Sequence, residues 1–280
     1  DIGAFESQGF TLAVAGGDNQ QAAVNGAFTA PLSITVSSGR WSDIPEPVDG
    51  GIVTYTAPAS GASITAVPAA VIITNSAAEL AVTANGLMGS YLVTATAPGE
   101  NAISFHLTNT RYASSTALDI APNPALVDDN VTFTVGVSTA SVLTNVLLAK
   151  PTGSVTVTAP GNAIKLVGTL VDGAATFNKD GLPAGSYDVT AEYGGDATFA
   201  GSTSGAHSLV VNKYGAAAAL TSSSNPVFVG DTLNFTVSVS EAALNGFKAG
   251  GLPIYPTGTV TVTDVSGLIQ LTGQLNNGLL

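Results

Sequence analysis

The sequence contains no cysteine, which excludes disulfide bonds, thiolate nucleophiles and cysteine-ligated zinc sites. Charged residues occupy only 9% of the 280 positions, and seven basic residues face 19 acidic ones, giving a net charge of −12. This balance excludes the basic surface that binds nucleic acid and the polybasic patch that binds anionic membranes. No apolar run reaches the ~18 residues that a membrane-spanning helix needs, so we expect no membrane insertion.

Apolar and polar residues alternate with a period of two along much of the chain. The pattern is clear in residues 131–138 (VTFTVGVS), 187–193 (YDVTAEY) and 233–239 (LNFTVSV). A half-buried antiparallel strand produces this alternation, because successive side chains point to opposite faces of the sheet. No segment shows a sustained helical period of 3.6. The sequence therefore predicts an all-β fold of short strands.

Sequence motifs recur at a spacing of about 100 residues. The dipeptide at Asn123-Pro124 returns at Asn225-Pro226, and Pro151-Thr152-Gly153 returns at Pro256-Thr257-Gly258. The first hundred residues are a more distant copy, since 89–95 (GSYLVTA) matches 185–191 (GSYDVTA). We therefore expect an N-terminal segment and three domains, at residues 1–9, 10–110, 111–213 and 214–280.

The second repeat reads as seven strands separated by turns, which predicts an immunoglobulin-like β-sandwich with sheets ABED and CFG. The predicted strands are A 116–121, B 130–138, C 153–159, D 164–171, E 174–178, F 186–193 and G 206–212. Tyr187 stands where a tyrosine corner ties strand F to the preceding turn. Val189 and Val93 occupy the position of the second cysteine of the usual disulfide.

Several of these segments resemble bacterial Ig-like repeat domains, which occur in tandem in large secreted surface proteins. The resemblance rests on 151–157 (PTGSVTV), 182–187 (LPAGSY) and 193–196 (YGGD), followed by Phe199 and Ser202. It implies an extracellular or cell-surface location. Residues 1–6 (DIGAFE) resemble the closing segment of parallel β-helix domains, which implies such a domain upstream.

The third repeat is incomplete in this sequence. Leu280 aligns with Ala175, so the counterparts of most of strand E and of strands F and G are missing. Three explanations stay open at this point: the sequence stops short of the protein's end, the protein is cleaved there, or a neighbouring subunit supplies the missing strands. Within this sequence the remaining strand C, residues 258–263, would have open edges, and open edges recruit other strands.

Acidic turn residues provide one candidate metal site. Asp128, Asp129 and Asp180 fall in the A–B and E–F turns at the same pole of the predicted sandwich, and calcium prefers carboxylate oxygens. The alternative is that these residues serve the turns themselves. We expect no obligatory cofactor, with calcium as the one candidate.

The two histidines do not suggest catalysis. We expect His106 to face outward and His207 to share the face of the core residues Leu209 and Val211, with no serine or carboxylate spaced to form a relay with either.

The predicted B–C loops, about 39–50, 139–152 and 240–257, are much longer than usual and rich in apolar residues. They either fold back onto the sandwich or contact a neighbouring unit or chain. The candidate interface residues in them are Trp41, Leu143, Leu147, Leu148, Phe247, Ile254 and Tyr255.

Together these features predict a non-catalytic extracellular protein, a rod of Ig-like repeats that acts as a surface stalk or scaffold. The expected partners are neighbouring copies of the chain or other surface polymers. Two alternatives stay open: a self-assembling filament or sheath with strand completion between subunits, and a carbohydrate-binding surface module.

Overall fold

A computed structural model of the chain describes residues 10–38, 47–65, 69–98, 102–139, 150–241 and 255–279. These residues form 21 β-strands and one short 3-10 turn at Pro160–Asn162. None of them forms a helix long and apolar enough to cross a membrane. The N-terminal segment 1–9, with its resemblance to the end of a β-helix, lies outside the described residues. The all-β prediction is confirmed.

The first repeat is a sandwich of a three-stranded and a five-stranded sheet, with orders β1-β3-β6 and β2-β8-β7-β4-β5. Its strands are β1 (Phe10–Gly16), β2 (Gln20–Ala23), β3 (Leu32–Ser38), β4 (Ile52–Thr56), β5 (Ala69–Ile72), β6 (Ala77–Leu80), β7 (Gly89–Thr96) and β8 (Ile103–Thr110).

The second repeat has the same two-layer plan, with orders β14-β11-β9 and β10-β17-β15-β12-β13, and β16 beside β15. Its strands are β9 (Ser114–Ala121), β10 (Ala125–Leu126), β11 (Val131–Thr139), β12 (Ser154–Thr158), β13 (Lys165–Thr169), β14 (Ala174–Lys179), β15 (Gly185–Tyr193), β16 (Ser202–Thr203) and β17 (His207–Asn212).

The predicted sheet assignment of strand D is wrong. β13 covers that segment, but it pairs with β12 across Ser154↔Thr169 to Thr158↔Lys165 and so belongs to the sheet of β12, β15 and β17. The cause is the short connection between the two strands, a tight turn around η1 (Pro160–Asn162) that returns the chain as an antiparallel hairpin.

In the third repeat the described residues form two strand pairs, which a bridge between Ser238 and Leu279 connects. β18 (Ala216–Ser222) pairs with β19 (Phe235–Glu241), and β20 (Thr259–Thr263) pairs with β21 (Gln270–Gln274). The division of the chain at 10–110, 111–213 and 214–280 stays our proposal, and we use it below as first, second and third repeat.

Each complete sandwich closes over its own apolar core. In β11 the buried residues alternate with accessible ones, and Phe133 and Val135 are fully buried. Val93 and Val189, at the position of the missing cysteines, are also fully buried, so packing replaces the disulfide in both repeats. The core of the first repeat runs from Leu12 to Leu107, and that of the second from Leu118 to Val211.

Candidate functional site

In the larger sheet of both complete repeats, the second strand of the repeat lies beside its last strand and runs parallel to it. In the first repeat β2 pairs with β8 over four residue pairs, from Gln20↔Leu107 to Ala23↔Thr110. In the second repeat β10 pairs with β17 over two pairs, Ala125↔Val211 and Leu126↔Asn212. We call these pairs the terminal clamps. They join the second strand of each repeat directly to its last strand.

Further hydrogen bonds extend both clamps beyond the paired residues. The amide of Val24 donates to the carbonyl of Thr110 at 2.8 Å, and the amide of Val127 donates to the carbonyl of Asn212 at 2.9 Å. The side chain of Asn123 adds two bonds to β17: its amide donates to Ser208 O at 2.7 Å, and its oxygen accepts from Val210 N at 3.1 Å. The first residue of the repeated Asn-Pro motif thus acts as an additional strand partner.

This geometry determines how a pulling force loads each repeat. Tension draws the beginning of a repeat one way and its end the other way. β1 and β9, which precede the clamps, pair within the other sheet. Once tension passes beyond them, the opposite pulls act along the two parallel strands of the clamp and load its interstrand hydrogen bonds together, in shear. An antiparallel terminal pair pulled from one end would instead open one bond at a time. The clamps are therefore suited to bear load.

The junction between the first two repeats is very short. Thr110 is the last residue of β8 and is paired with Ala23. Tyr112 is already fixed to the second repeat, since its amide donates to Thr198 O at 2.9 Å and its carbonyl accepts from Ala200 N at 2.8 Å. Its ring lies 6.3 Å from that of Phe199. Only Arg111 lies between these two anchored residues.

The sequence predicts short linkers at residues 109–112 and 212–215 but did not identify Tyr112 as an anchor, although a signal for that role was present. Arg111-Tyr112-Ala113 corresponds to Lys213-Tyr214-Gly215 at the same spacing as the Asn-Pro motif. A basic residue and a tyrosine thus stand at the start of both the second and the third repeat. This correspondence predicts a similar anchor for Tyr214.

Asp196 explains the YGGD motif, which lies at the end of the second repeat that adjoins the first. Its carboxylate accepts four hydrogen bonds: from the amide and hydroxyl of Thr152, both at 2.9 Å, and from the amides of Thr198 and Phe199, both at 2.7 Å. Burial raises the pKa of Asp196, but the four donors outweigh it and hold the pKa below its usual value. Gly195 has a φ of 83°, and a Cβ there would lie 2.9 Å from Phe199 O, so the turn requires glycine.

The predicted tyrosine corner is present in the second repeat. The hydroxyl of Tyr187 donates to the carbonyl of Pro183 in the preceding turn at 2.7 Å. The matching residue of the first repeat uses a different partner, because Tyr91 donates to the side chain of Asn109 at 2.9 Å. Asn109 is 2% exposed and also donates to Ser63 O, Asn85 Oδ1 and Leu87 O, each at 3.0 Å.

The structure does not bring the predicted calcium ligands together. Among the described residues no group of three or more His, Cys, Asp or Glu side chains is placed to hold a metal ion, and Asp128, Asp129 and Asp180 are all described. Asp129 instead accepts a hydrogen bond from the amide of Leu126 at 2.7 Å, which is the role of a turn residue. Asp231 repeats this contact with Phe228 at 3.2 Å.

Most of the predicted interface residues lie outside the described part of the chain. These are Trp41, Leu143, Leu147, Leu148, Phe247 and Ile254. Tyr255 is described and is 55% exposed. The role of the long B–C loops as contact surfaces stays a prediction.

One expectation about the histidines is wrong. His106 faces outward as predicted, but a carboxylate does contact it: Asp18 Oδ1 accepts from the amide of His106 at 2.6 Å and lies 3.3 Å from Nδ1. The hydrogen bond from the backbone amide of His106 lowers the pKa of Asp18. The pair joins the turn before β2 to β8 and so adjoins the first terminal clamp. His207 is exposed, because it is the first residue of β17 and extends past the core.

Comparison with known proteins supports the fold. Residues 118–212 match the family model of the bacterial Ig-like domain, group 3. No curated protein matches the chain in sequence.

Among solved structures, invasin, a bacterial integrin-binding protein, is 18% identical with a TM-score of 0.40, over 90% of this chain and 50% of that structure. The D0–D1 domain of intimin is 16% identical with a TM-score of 0.25, over 72% of this chain and 97% of that one. The fibronectin(III)-like modules of Clostridium thermocellum CbhA are 9% identical with a TM-score of 0.27, over 72% and 95%. The chain spans half the length of the invasin structure.

Proposed function

We propose that this chain is a load-bearing segment of an extracellular structural or adhesive protein, without catalytic activity of its own. The observation that carries the proposal is the terminal clamp, which occurs in both complete repeats and places the hydrogen bonds between β2 and β8, and between β10 and β17, in shear. A spacer that holds a binding element away from a surface must stay folded under this kind of load.

The junction supports the same function. A rod transmits force along its axis only when its repeats are closely linked, and a single residue, Arg111, lies between the anchored residues Thr110 and Tyr112. The low charge, the absence of cysteine and the match of residues 118–212 to a bacterial Ig-like domain suit a secreted bacterial surface protein. Its partners would be neighbouring copies or other surface polymers.

Single-molecule pulling tests this proposal. The chain is held by handles at its two ends and stretched at constant speed. We expect two separate unfolding events from the complete repeats, each adding on the order of 300 Å of contour length at ~3.5 Å per residue. The second repeat should unfold at the lower force, because its clamp has two residue pairs and that of the first has four.

Two results would count against the proposal. One is extension without discrete force peaks, and the other is an unfolding force that does not differ between the repeats. Location is a separate question: antibodies against residues 114–212 should label intact producing cells, and labelling only after permeabilisation would contradict an extracellular role.

A further inference from the structure

The first two repeats meet through a side chain as well as through the chain that links them. The hydroxyl of Tyr112 faces the turn that follows β2: a Cβ on Gly26 would lie 3.5 Å from the hydroxyl oxygen, which is van der Waals distance. Gly26 belongs to the first repeat, whereas Tyr112 is anchored in the second. The two repeats therefore approach each other at two places, the linking chain and the tip of this ring.

The second repeat holds Tyr112 by its backbone and by its ring. In addition to its hydrogen bonds to Thr198 and Ala200, Tyr112 forms a parallel bridge with Phe199. Its ring is partly buried against the core of the second repeat, beside the fully buried ring of Phe199. Because the backbone and the ring are both held, the hydroxyl moves with the second repeat as one body.

The turn that the hydroxyl faces is equally well held within the first repeat. The amide of Val24 donates to Thr110 O, the amide of Gly26 donates to Ala23 O at 2.8 Å, and the carbonyl of Gly26 accepts from Ala84 N at 2.9 Å. A Cβ on Gly26 would also lie 2.9 Å from Ala23 O, so glycine suits this close approach. The turn cannot move away from Tyr112 without breaking these bonds.

Together, the chain and the ring restrict rotation between the repeats in both directions. A link through Arg111 alone would leave its two backbone dihedral angles free to rotate. Bending that brings Gly26 toward Tyr112 is stopped when the hydroxyl meets the turn. Bending the other way stretches the chain between Thr110 and Tyr112, which are both hydrogen-bonded and can be separated by at most about 7 Å.

The elements of this junction recur between the second and third repeats. In the turn after β10, the amide of Asp129 donates to Leu126 O at 3.0 Å, as the amide of Gly26 does within its own turn. Tyr214 follows the last residue of β17 by two positions, just as Tyr112 follows the last residue of β8. The same tyrosine thus stands beside the same kind of turn at both junctions of the chain.

We propose that Tyr112 is a steric stop that fixes the angle between the first and second repeats, and that Tyr214 has the same role at the next junction. The inference rests on the proposed function and deepens it. A spacer holds its far end at a defined distance only when its repeats cannot bend freely. The stop provides this stiffness without load, whereas the terminal clamps resist unfolding under load.

The distance between spin labels on the two repeats tests the proposal. The chain has no cysteine, so Leu92→Cys and Lys165→Cys place one label on an exposed strand position of each repeat. Pulsed electron–electron double resonance on the 280-residue chain should give a narrow distance distribution. Tyr112→Ala should broaden it at least twofold. Tyr112→Phe keeps the ring beside Phe199 but removes the oxygen nearest Gly26, and it should broaden the distribution by a smaller step.

Two controls make the assignment specific. Inserting two glycines between Arg111 and Tyr112 lengthens the link and sets the width expected of an unrestrained junction. Tyr187→Phe weakens the second repeat in the turn at Pro183, away from Tyr112, and should keep the parental width. The methyl NMR signals of the core residues Val93 and Val189 show whether both repeats of each variant are folded.

A parental width in Tyr112→Ala, with both repeats folded, would overturn the proposal. So would a parent distribution as broad as that of the glycine insertion, or equal broadening by Tyr187→Phe and Tyr112→Ala. If Tyr112→Ala does not fold, Tyr112→Phe decides alone, and a width equal to that of the parent overturns the stop. These measurements apply no force: a flexible junction between strong clamps refutes the stop and leaves the proposed function standing, and weak clamps in a pulling experiment do the reverse.

Discussion

Replacing Asp196 with asparagine should weaken the second repeat in a pH-dependent way. Asparagine keeps one oxygen for Thr198 and Phe199 but presents an NH₂ group to the two donors of Thr152. Hydrogen bonds to a charged acceptor contribute about 1.5–3 kcal/mol each, and partial exposure reduces that value. We therefore expect a loss of about 2 kcal/mol in the free energy of unfolding at pH 7.

The pH dependence follows from the direction of the pKa shift. The pKa of Asp196 is lower in the folded than in the unfolded chain, so its stabilisation is present above the unfolded pKa and is lost as pH falls through the folded one. The difference in the free energy of unfolding between the parent chain and Asp196→Asn should therefore become progressively smaller below about pH 4. Protonation removes from the parent the same charge that the substitution removes.

Urea titrations at several pH values, followed by the NMR methyl signals of Val155 and Val189, measure this effect within the core of the second repeat. Asp188→Asn is the matched control: Asp188 is an exposed acid on β15, the strand that precedes the turn of Asp196, and its replacement should change stability by less than ~0.5 kcal/mol. The reasoning is refuted if Asp196→Asn behaves like Asp188→Asn at pH 7, or if the gap does not change with pH.

Two further substitutions test the hydrogen bonds that tie each sandwich together. Tyr187→Phe removes the bond to Pro183 O and should lower the stability of the second repeat by about 1 kcal/mol, read from its urea midpoint; an unchanged midpoint would deny the corner a stabilising role. Asn109→Ala leaves the buried Tyr91 hydroxyl without its acceptor and should cost the first repeat about 3 kcal/mol, with the second repeat as internal reference; equal losses in both repeats would contradict a local network.

The sequence was most informative where strands are long and half-buried. β11 and β15 each hold nine residues of clear alternation, and their predicted bounds differ from the observed ones by a residue or less. The immunoglobulin-like sandwich and the corner at Tyr187 follow from the same pattern. Alternation alone does not say which sheet a strand joins, and this is why strand D was assigned to the wrong one.

The features that carry the proposed function were harder to predict. β10 has only two residues, Ala125 and Leu126, too few to show any period, so the second clamp has no signature of its own. The hydrogen bonds of Asn123 to β17 and of Asp196 to Thr152 join positions that are 44 or more residues apart, and their partners are mainly backbone groups that any residue provides. Comparison of the repeats was the available signal, since Asn123 and Tyr112 both recur at one spacing.

The proposed function requires the terminal clamps to bear load, which they do when force acts on them in shear. The chain has no cysteine, so a single introduced cysteine fixes a handle at one chosen residue. A handle on Lys213→Cys pulls β17 from its far end and shears it against β10. A handle on Gly205→Cys pulls β17 from its first residue, at the same end at which the N-terminal handle pulls β10. The residue pairs between the two strands then separate one by one.

Pulling each variant against an N-terminal handle compares the two geometries on the same hydrogen bonds. The account predicts that the second repeat unfolds at a clearly higher force with the handle on Lys213→Cys than with the handle on Gly205→Cys. Equal unfolding forces from the two attachment points would contradict it, because the parallel clamp would then contribute nothing to mechanical strength.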